Sequence, residues 1–233
     1  MGIKASVDTN PPSLGGLQFV RECKVYHSCP SPLANELAII GRSNAGKSSL
    51  INRLAGQKSL ARVSSTPGRT RSLVFFGWEG YAQMLVDLPG YGFARTSKQM
   101  QREWRGLIET YLLQRPNLRA LVLVMDCRRE LGEQEIMLLD LARRRGLELC
   151  LAMNKCDKLG QSQLALAQRN LNNALKKHQD DFFRPQAIAC SATKGRGCDR
   201  LGAWALAQLG MGDAADSGPA RESEKQQPKQ NNE

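Results

Sequence analysis

From Glu36 onward, short apolar runs of strand length alternate with longer stretches in which apolar residues recur every three or four positions. Six runs read as strands: Leu37 to Ile40, Leu73 to Trp78, Tyr81 to Val86, Ala120 to Met125, Leu147 to Met153 and Ala187 to Cys190. The spacing predicts helices after the first strand and over about Ser97 to Gln114, Glu133 to Arg145, Gln161 to His178 and Asp199 to Leu209. In the second of these, Met100, Trp104, Leu107, Ile108, Tyr111 and Leu112 fall on one face, which reads as a core stripe, and Pro116 closes the helix. Alternating β and α elements predict an α/β fold: a mostly parallel six-stranded sheet with helices on both faces. Gly77-Trp78-Glu79-Gly80 reads as a hairpin turn, which makes one edge strand antiparallel. Residues 1–35, rich in Pro, Gly and Ser at their start, read as a partly flexible arm, with Gln18 to Val20 and Lys24 to Tyr26 able to add an edge strand. The folded domain is expected over 36–209, and 210–233 is polar with almost nothing to bury, so disorder is expected there.

Composition sharpens this picture. At 233 residues the chain suits one principal domain, and its formal net charge of +11 favours a polyanionic partner, either nucleic acid or an anionic membrane surface. The polar tail holds three basic and five acidic residues, a balance of −2, so the rest carries 11 plus 2, or +13. Apolar stretches such as Ala120 to Met125 are too short to cross a bilayer, and membrane insertion is not expected. The first ten residues lack the apolar core of a secretory signal, which predicts a cytoplasmic location. Seven cysteines with no CxxC pair argue against a zinc site or disulfide framework and read as small core residues. Neither His27 nor His178 has a recognisable catalytic partner nearby in sequence.

The chemistry sits in the loops that follow the strands. Gly41, Arg42, Ser43, Asn44, Ala45, Gly46, Lys47 and Ser48 stand between a strand and a helix, with Ser49 next, in the spacing of a phosphate-binding loop. The glycines let successive backbone N–H groups turn inward onto a polyphosphate, and the helix start adds positive potential. Lys47 would reach the β- and γ-phosphates and the Ser48 hydroxyl would ligate Mg²⁺. Asp87-Leu88-Pro89-Gly90 follows a strand, so Asp87 can hold a water of the Mg²⁺ shell and the Gly90 N–H can meet a γ-phosphate. At Asn154-Lys155-Cys156-Asp157, the Asp157 carboxylate can accept the N1–H and N2–H₂ edge of guanine, which adenine does not offer. Asn154 would brace the loops and the Lys155 stem would cover the base. Ser191 and Ala192, after the last strand, are placed for a backbone N–H to meet the guanine carbonyl. Thr66-Pro67-Gly68-Arg69-Thr70 occupies the position of a switch segment, where Gly68, Arg69 and above all Thr70 would contact nucleotide and metal, with Thr66 as the second choice for the metal.

Taken in order, these loops resemble the Ras-like P-loop GTPases of the TRAFAC class. Gly41 to Asn52, Lys58 to Arg62, Thr66 to Thr70 and Asp87 to Ala94 resemble in particular the EngB/YihA (YsxC) family of bacterial GTPases. The resemblance covers about Glu36 to Leu209. It implies GTP and GDP as ligands, a GTPase activity with a low intrinsic rate, and a role in assembly of the large ribosomal subunit through its rRNA or a precursor. It also implies a need for the protein in normal cell division and septation. A GTP-dependent adaptor acting directly on the division machinery is the alternative, and a monomer is expected in isolation. Ras-type enzymes place a water-orienting glutamine after DxxG, where this chain has Tyr91. Asn44 matches the asparagine that coordinates K⁺ in potassium-activated relatives, which adds K⁺ to Mg²⁺ as an implied ion; the alternative is that it only braces the loop. By this reading Lys47, Asn44, Thr70 and Gly90 serve catalysis. Arg69, Arg71, Arg95 and Lys98 could meet rRNA, or form a solvated basic surface.

Overall fold

A computed structural model of the chain describes residues 14–62, 72–92 and 98–211, with side chains from 106 onward in the third stretch. Its strands are β1 (Gln18–Cys23), β2 (Glu36–Gly41), β3 (Leu73–Gly77), β4 (Met84–Asp87), β5 (Leu118–Asp126), β6 (Glu148–Asn154) and β7 (Gln186–Ala189). The helices are α1 (Lys47–Leu54), α2 (Lys98–Gln114), α3 (Glu133–Arg145), α4 (Gln161–Lys176) and α5 (Cys198–Leu209).

The strands form one sheet in the order β1-β3-β4-β2-β5-β6-β7. β4, β2, β5, β6 and β7 are mutually parallel, whereas β3 runs antiparallel to both β4 and β1. Among the described residues the expected six strands are thus seven. The reversed strand is interior and β1 takes the edge, with Cys23 opposite Leu73 and Gln18 opposite Gly77. Five of the six β1 residues are exposed and only Cys23 is buried, so the strand carries no alternating apolar signal. Lys24 to Tyr26 do not extend it; a single 3₁₀ turn forms at Tyr26–Ser28. The hairpin turn forms as expected, with the Tyr81 N–H donating to the Trp78 carbonyl at 3.2 Å and Gly80 at φ 76°. β4 starts only at Met84, and Tyr81 stands 61% exposed beyond the turn.

Alternation along the buried strands divides the core between two faces. Ile40, Val86, Leu123 and Leu151 face Ile108 and Leu112 of α2, Leu138 and Leu139 of α3, and Leu171 and Leu175 of α4. Leu37, Ile39, Val122 and Ile188 face Leu50 and Ile51 of α1 and Leu201 and Ala205 of α5. Met100 and Trp104 of the expected α2 stripe lie outside the described side chains, while Ile108, Tyr111 and Leu112 are buried. The second core also takes in Leu14 and Leu17, ahead of β1.

The sheet end away from the nucleotide-binding motifs is closed by buried charge. Glu36, at the start of β2, accepts from Arg115 Nε at 2.8 Å, from Arg115 Nη2, and from the Tyr111 hydroxyl at 2.8 Å. Arg115 also donates to the Pro30 carbonyl at 2.7 Å, tying the segment before β2 to the end of α2.

Candidate functional site

Parallel strands deliver their C-terminal ends to one edge of the sheet, and the loops leaving that edge hold the site. β2 ends at Gly41 and α1 begins at Lys47, so the phosphate-loop motif spans that turn. Asp87 ends β4, Asp126 ends β5, Asn154 ends β6 and Ser191 lies two residues beyond β7. The sequence-predicted residues from four separate loops therefore converge.

The loop's shape follows from a few positions. Asn44 and Gly46 take left-handed φ of 63° and 89°. At Gly46 any Cβ would lie 2.5 Å from Asn154 Nδ2, and at Gly41 one would lie 2.6 Å from the Val124 carbonyl oxygen, so both sites need glycine for packing. Asn154 is buried and holds two loops at once: its Nδ2 donates to the Ala45 carbonyl at 2.9 Å, and its Oδ1 accepts from the Ala192 N–H at 3.1 Å. The Ala192 N–H, one of the backbone amides in the stretch placed to meet the guanine carbonyl, here braces Asn154. Lys155 donates from Nζ to the Asn44 carbonyl at 2.6 Å and stands 3.2 Å from Asp126 Oδ2.

Lys47 Nζ pairs with Asp87 Oδ1, both nearly buried. Burial pushes the Asp87 carboxyl up, and the Lys47 ammonium opposes that rise only in part. Asp157 is the opposite case. Its Oδ1 accepts from the buried Ser191 hydroxyl at 2.5 Å, and that bond holds its carboxyl below the ordinary range. The described geometry leaves the Ser48 hydroxyl without a hydrogen bond among the described residues. Thr66, Gly68, Arg69, Thr70, Arg71 and Arg95 lie outside the described residues, as does the Lys98 side chain.

Two contacts at this edge pass unnoticed in the sequence. Tyr91 is 2% exposed and anchored three ways: its N–H donates to the Gly41 carbonyl at 3.1 Å, its carbonyl accepts from the Ser43 N–H at 2.8 Å, and its hydroxyl donates to Glu135 Oε1 at 2.8 Å. Burial first, then the Glu135 carboxylate, pushes the Tyr91 phenol well above its usual pKa. The side chain at the glutamine position is therefore committed to α3. Asp126, in turn, accepts from Arg128 Nε at 2.8 Å and Nη2 at 2.6 Å, and these bonds hold it well below the usual carboxylate range. Only Asp126's place at the end of a predicted strand pointed toward it.

A phosphate loop, an acidic DxxG loop and a guanine-selective loop on one edge of a mostly parallel sheet define a P-loop GTPase. Residues 36–155 match the family model described as 50S ribosome-binding GTPase, and 115–209 match the elongation factor Tu GTP-binding domain. The chain is 45% identical to the probable GTP-binding protein EngB of Xylella fastidiosa strain Temecula1 over 181 residues, covering 75% of this chain and 89% of the relative. With its counterpart in Bdellovibrio bacteriovorus it shares 46% over 158 residues, covering 68% and 78%. A crystal structure of a probable GTP-binding protein engB superposes with TM-score 0.57 at 26% identity, over 75% of this chain and 98% of that one. A variant of Aquifex aeolicus Era, at TM-score 0.61 and 20% identity over 76% of this chain and 57% of that one, shares the fold. The chain belongs to the EngB family of GTP-binding proteins.

Proposed function

We propose that this GTPase is a switch in assembly of the large ribosomal subunit, bound to a precursor particle through rRNA while it holds GTP and released on hydrolysis. It acts in the cytoplasm as a monomer, and its loss disturbs division and septation. The observation that carries this reading is the match of residues 36–155 to a family described as 50S ribosome-binding GTPases, in a chain of net charge +11.

In this reading the backbone from Gly41 to Ser49 wraps the phosphates, and Lys47 exchanges Asp87 for the β- and γ-phosphate oxygens. Mg²⁺, when bound, neutralises charge on those oxygens, and it suits the hard oxygen donors of Ser48, Thr70 and an Asp87-held water. The Gly90 N–H meets the γ-phosphate, and Gly68 and Arg69 close over the nucleotide beside Thr70. Asp157 reads guanine, Asn154 fixes the surrounding loops and the Lys155 stem covers the base.

Because Tyr91 is tied to Glu135, no side chain at that position orients the attacking water, and slow intrinsic turnover follows. Asn44 is exposed, and its carboxamide makes no hydrogen bond among the described residues although its carbonyl is held by Lys155. That favours a K⁺-ligand role over loop bracing. Hydrolysis should run faster in K⁺ than in Na⁺, and equal rates would remove the role.

The direct test is co-sedimentation of the full chain with large-subunit precursor particles. Binding with a non-hydrolysable GTP analogue, lost with GDP or after RNase, is expected. No binding under any of these conditions would reject the ribosomal reading in favour of a direct adaptor of the division machinery.

A further inference from the structure

Beside the phosphate loop lies a crevice of about 460 Å³, within the roughly 300–1,000 Å³ typical of ligand sites. The loop's outer side, Arg42 to Ala45, forms one wall, and the β5–α3 turn carrying Arg128 and Arg129 forms another. Lys47, Ser48, Asp87 and Asp157 do not line it, although it shares Arg42 to Ala45 and Lys155 with the nucleotide site; Arg128, Arg129 and Glu130 belong to the crevice and to none of the nucleotide-binding motifs.

Two of its three acidic groups are already engaged. Asp126 is held by Arg128 and Lys155, and Glu135 takes the Tyr91 hydroxyl on one oxygen and the Gly132 N–H, at 3.0 Å, on the other. Arg42 and Arg129 are exposed and form no ion pair among the described residues, leaving Glu130 as the one uncommitted acid in the lining. Arg128 is preorganised: Asp126 grips its Nε and Nη2, fixing the guanidinium plane while the head group stays half exposed. A fixed arginine flanked by two uncommitted ones suits the two non-bridging oxygens of a phosphodiester.

We propose that this crevice is a docking site for an RNA backbone phosphate, with Arg128 and Arg129 as its principal contacts. The inference rests on the ribosomal reading above and places an RNA contact next to the nucleotide. A phosphate bound here touches the loop that carries Asn44 and the α3 turn that holds Tyr91, so RNA docking and nucleotide state share residues.

The test compares the full wild-type chain with Arg129→Glu, Arg129→Lys and Arg169→Glu, each bound to a GTP analogue. Arg169 is exposed on α4, outside the crevice, and its reversal changes net charge equally. The probe is purified, protein-free large-subunit rRNA, titrated over a salt series. One phosphate contact to single-stranded RNA is worth a log–log salt slope of about 0.7, and hence roughly fourfold in affinity near 0.15 M salt. The expected result is that Arg129→Glu weakens binding about fourfold or more and flattens the slope by about one contact, Arg129→Lys recovers most of the affinity, and Arg169→Glu binds as wild type. Unchanged thermal unfolding midpoints show that the variants are folded. Wild-type binding that Arg129→Glu leaves unaltered, or reduces no more than Arg169→Glu does, overturns the crevice while sparing the ribosomal reading. Binding to particles that resists RNase and is absent on naked rRNA assigns the surface to a protein instead. Failure of the wild type to bind rRNA or particles overturns the ribosomal reading and this site with it.

Discussion

Two carboxylates at the same sheet edge are driven in opposite directions. Asp157, held by the Ser191 hydroxyl, is ionised throughout the neutral range and is a constant acceptor for a base edge. Asp157→Asn replaces one acceptor oxygen by a donor, which fits xanthine and leaves guanine with an unpaired donor. GTP affinity should fall about 100-fold or more while xanthosine triphosphate binds in its place, read by competition titration. An unchanged preference would reject Asp157 as the base reader. Asp87 is raised by burial and, among the described residues, relieved by Lys47 alone. Lys47→Ala leaves that carboxylate buried and unpaired, which should cost about 3–5 kcal/mol of unfolding free energy. A carboxyl whose folded pKa lies above its unfolded value binds protons better when folded, so the penalty is greatest above the folded pKa and shrinks as pH falls through it. Urea denaturation of Lys47→Ala at about pH 8 and about pH 5.5 should show the smaller loss at the lower pH. An equal loss at both would mean that the variant's carboxylate had found another partner or water.

At the scale of elements, β1 and the residues before it are the part of the fold that pattern alone conceals. Leu14 and Leu17 are buried, the Leu14 N–H donates to the Leu54 carbonyl at 2.9 Å, and Trp78 Nε1 donates to the Gly15 carbonyl at 2.9 Å. The stretch thus bridges the end of α1 and the β3–β4 hairpin. Leu17→Ala should cost about 2–5 kcal/mol, measured as a lower urea midpoint with an unchanged slope. A loss under about 0.5 kcal/mol would detach this stretch from the core. The contrast with β2, β5 and β6 explains what was legible. Those strands are buried on both faces and appear as continuous apolar runs, whereas β1 buries one residue of six and is held by partners fifty or more positions away. The same distinction governs the site. The phosphate loop and the guanine-reading loop declare themselves because their chemistry needs neighbouring residue types at fixed spacing. Tyr91 with Glu135, 44 positions apart, and the Asn154 bridge to Ala45 and Ala192 depend on how the strands are ordered, which local spacing does not encode.

At the scale of the whole molecule, charge and its placement set what the GTPase meets. Residues 212–233 contain Arg221, Lys225 and Lys229 against five acids, so 1–211 carry +13 of the total +11. If the ribosomal reading holds, phosphate contacts made by residues 1–211 release counterions whether or not the tail is there, and each adds about 0.7–0.9 to the log–log salt slope. Deleting 212–233 should therefore leave the slope for large-subunit rRNA unchanged and the affinity equal or slightly higher, because a net negative segment has been removed. Equilibrium binding over about 50–200 mM salt reads both quantities together. The rival arrangement, in which the three tail cations do the gripping, gives the opposite result: truncation would lower the slope by about 2, three contacts at about 0.7 each, and weaken binding even as net charge rises. Since removal of the tail makes the protein more positive, weaker binding after truncation could not come from bulk electrostatics. It would place the RNA contact in those 22 residues rather than in the basic surface beside the nucleotide.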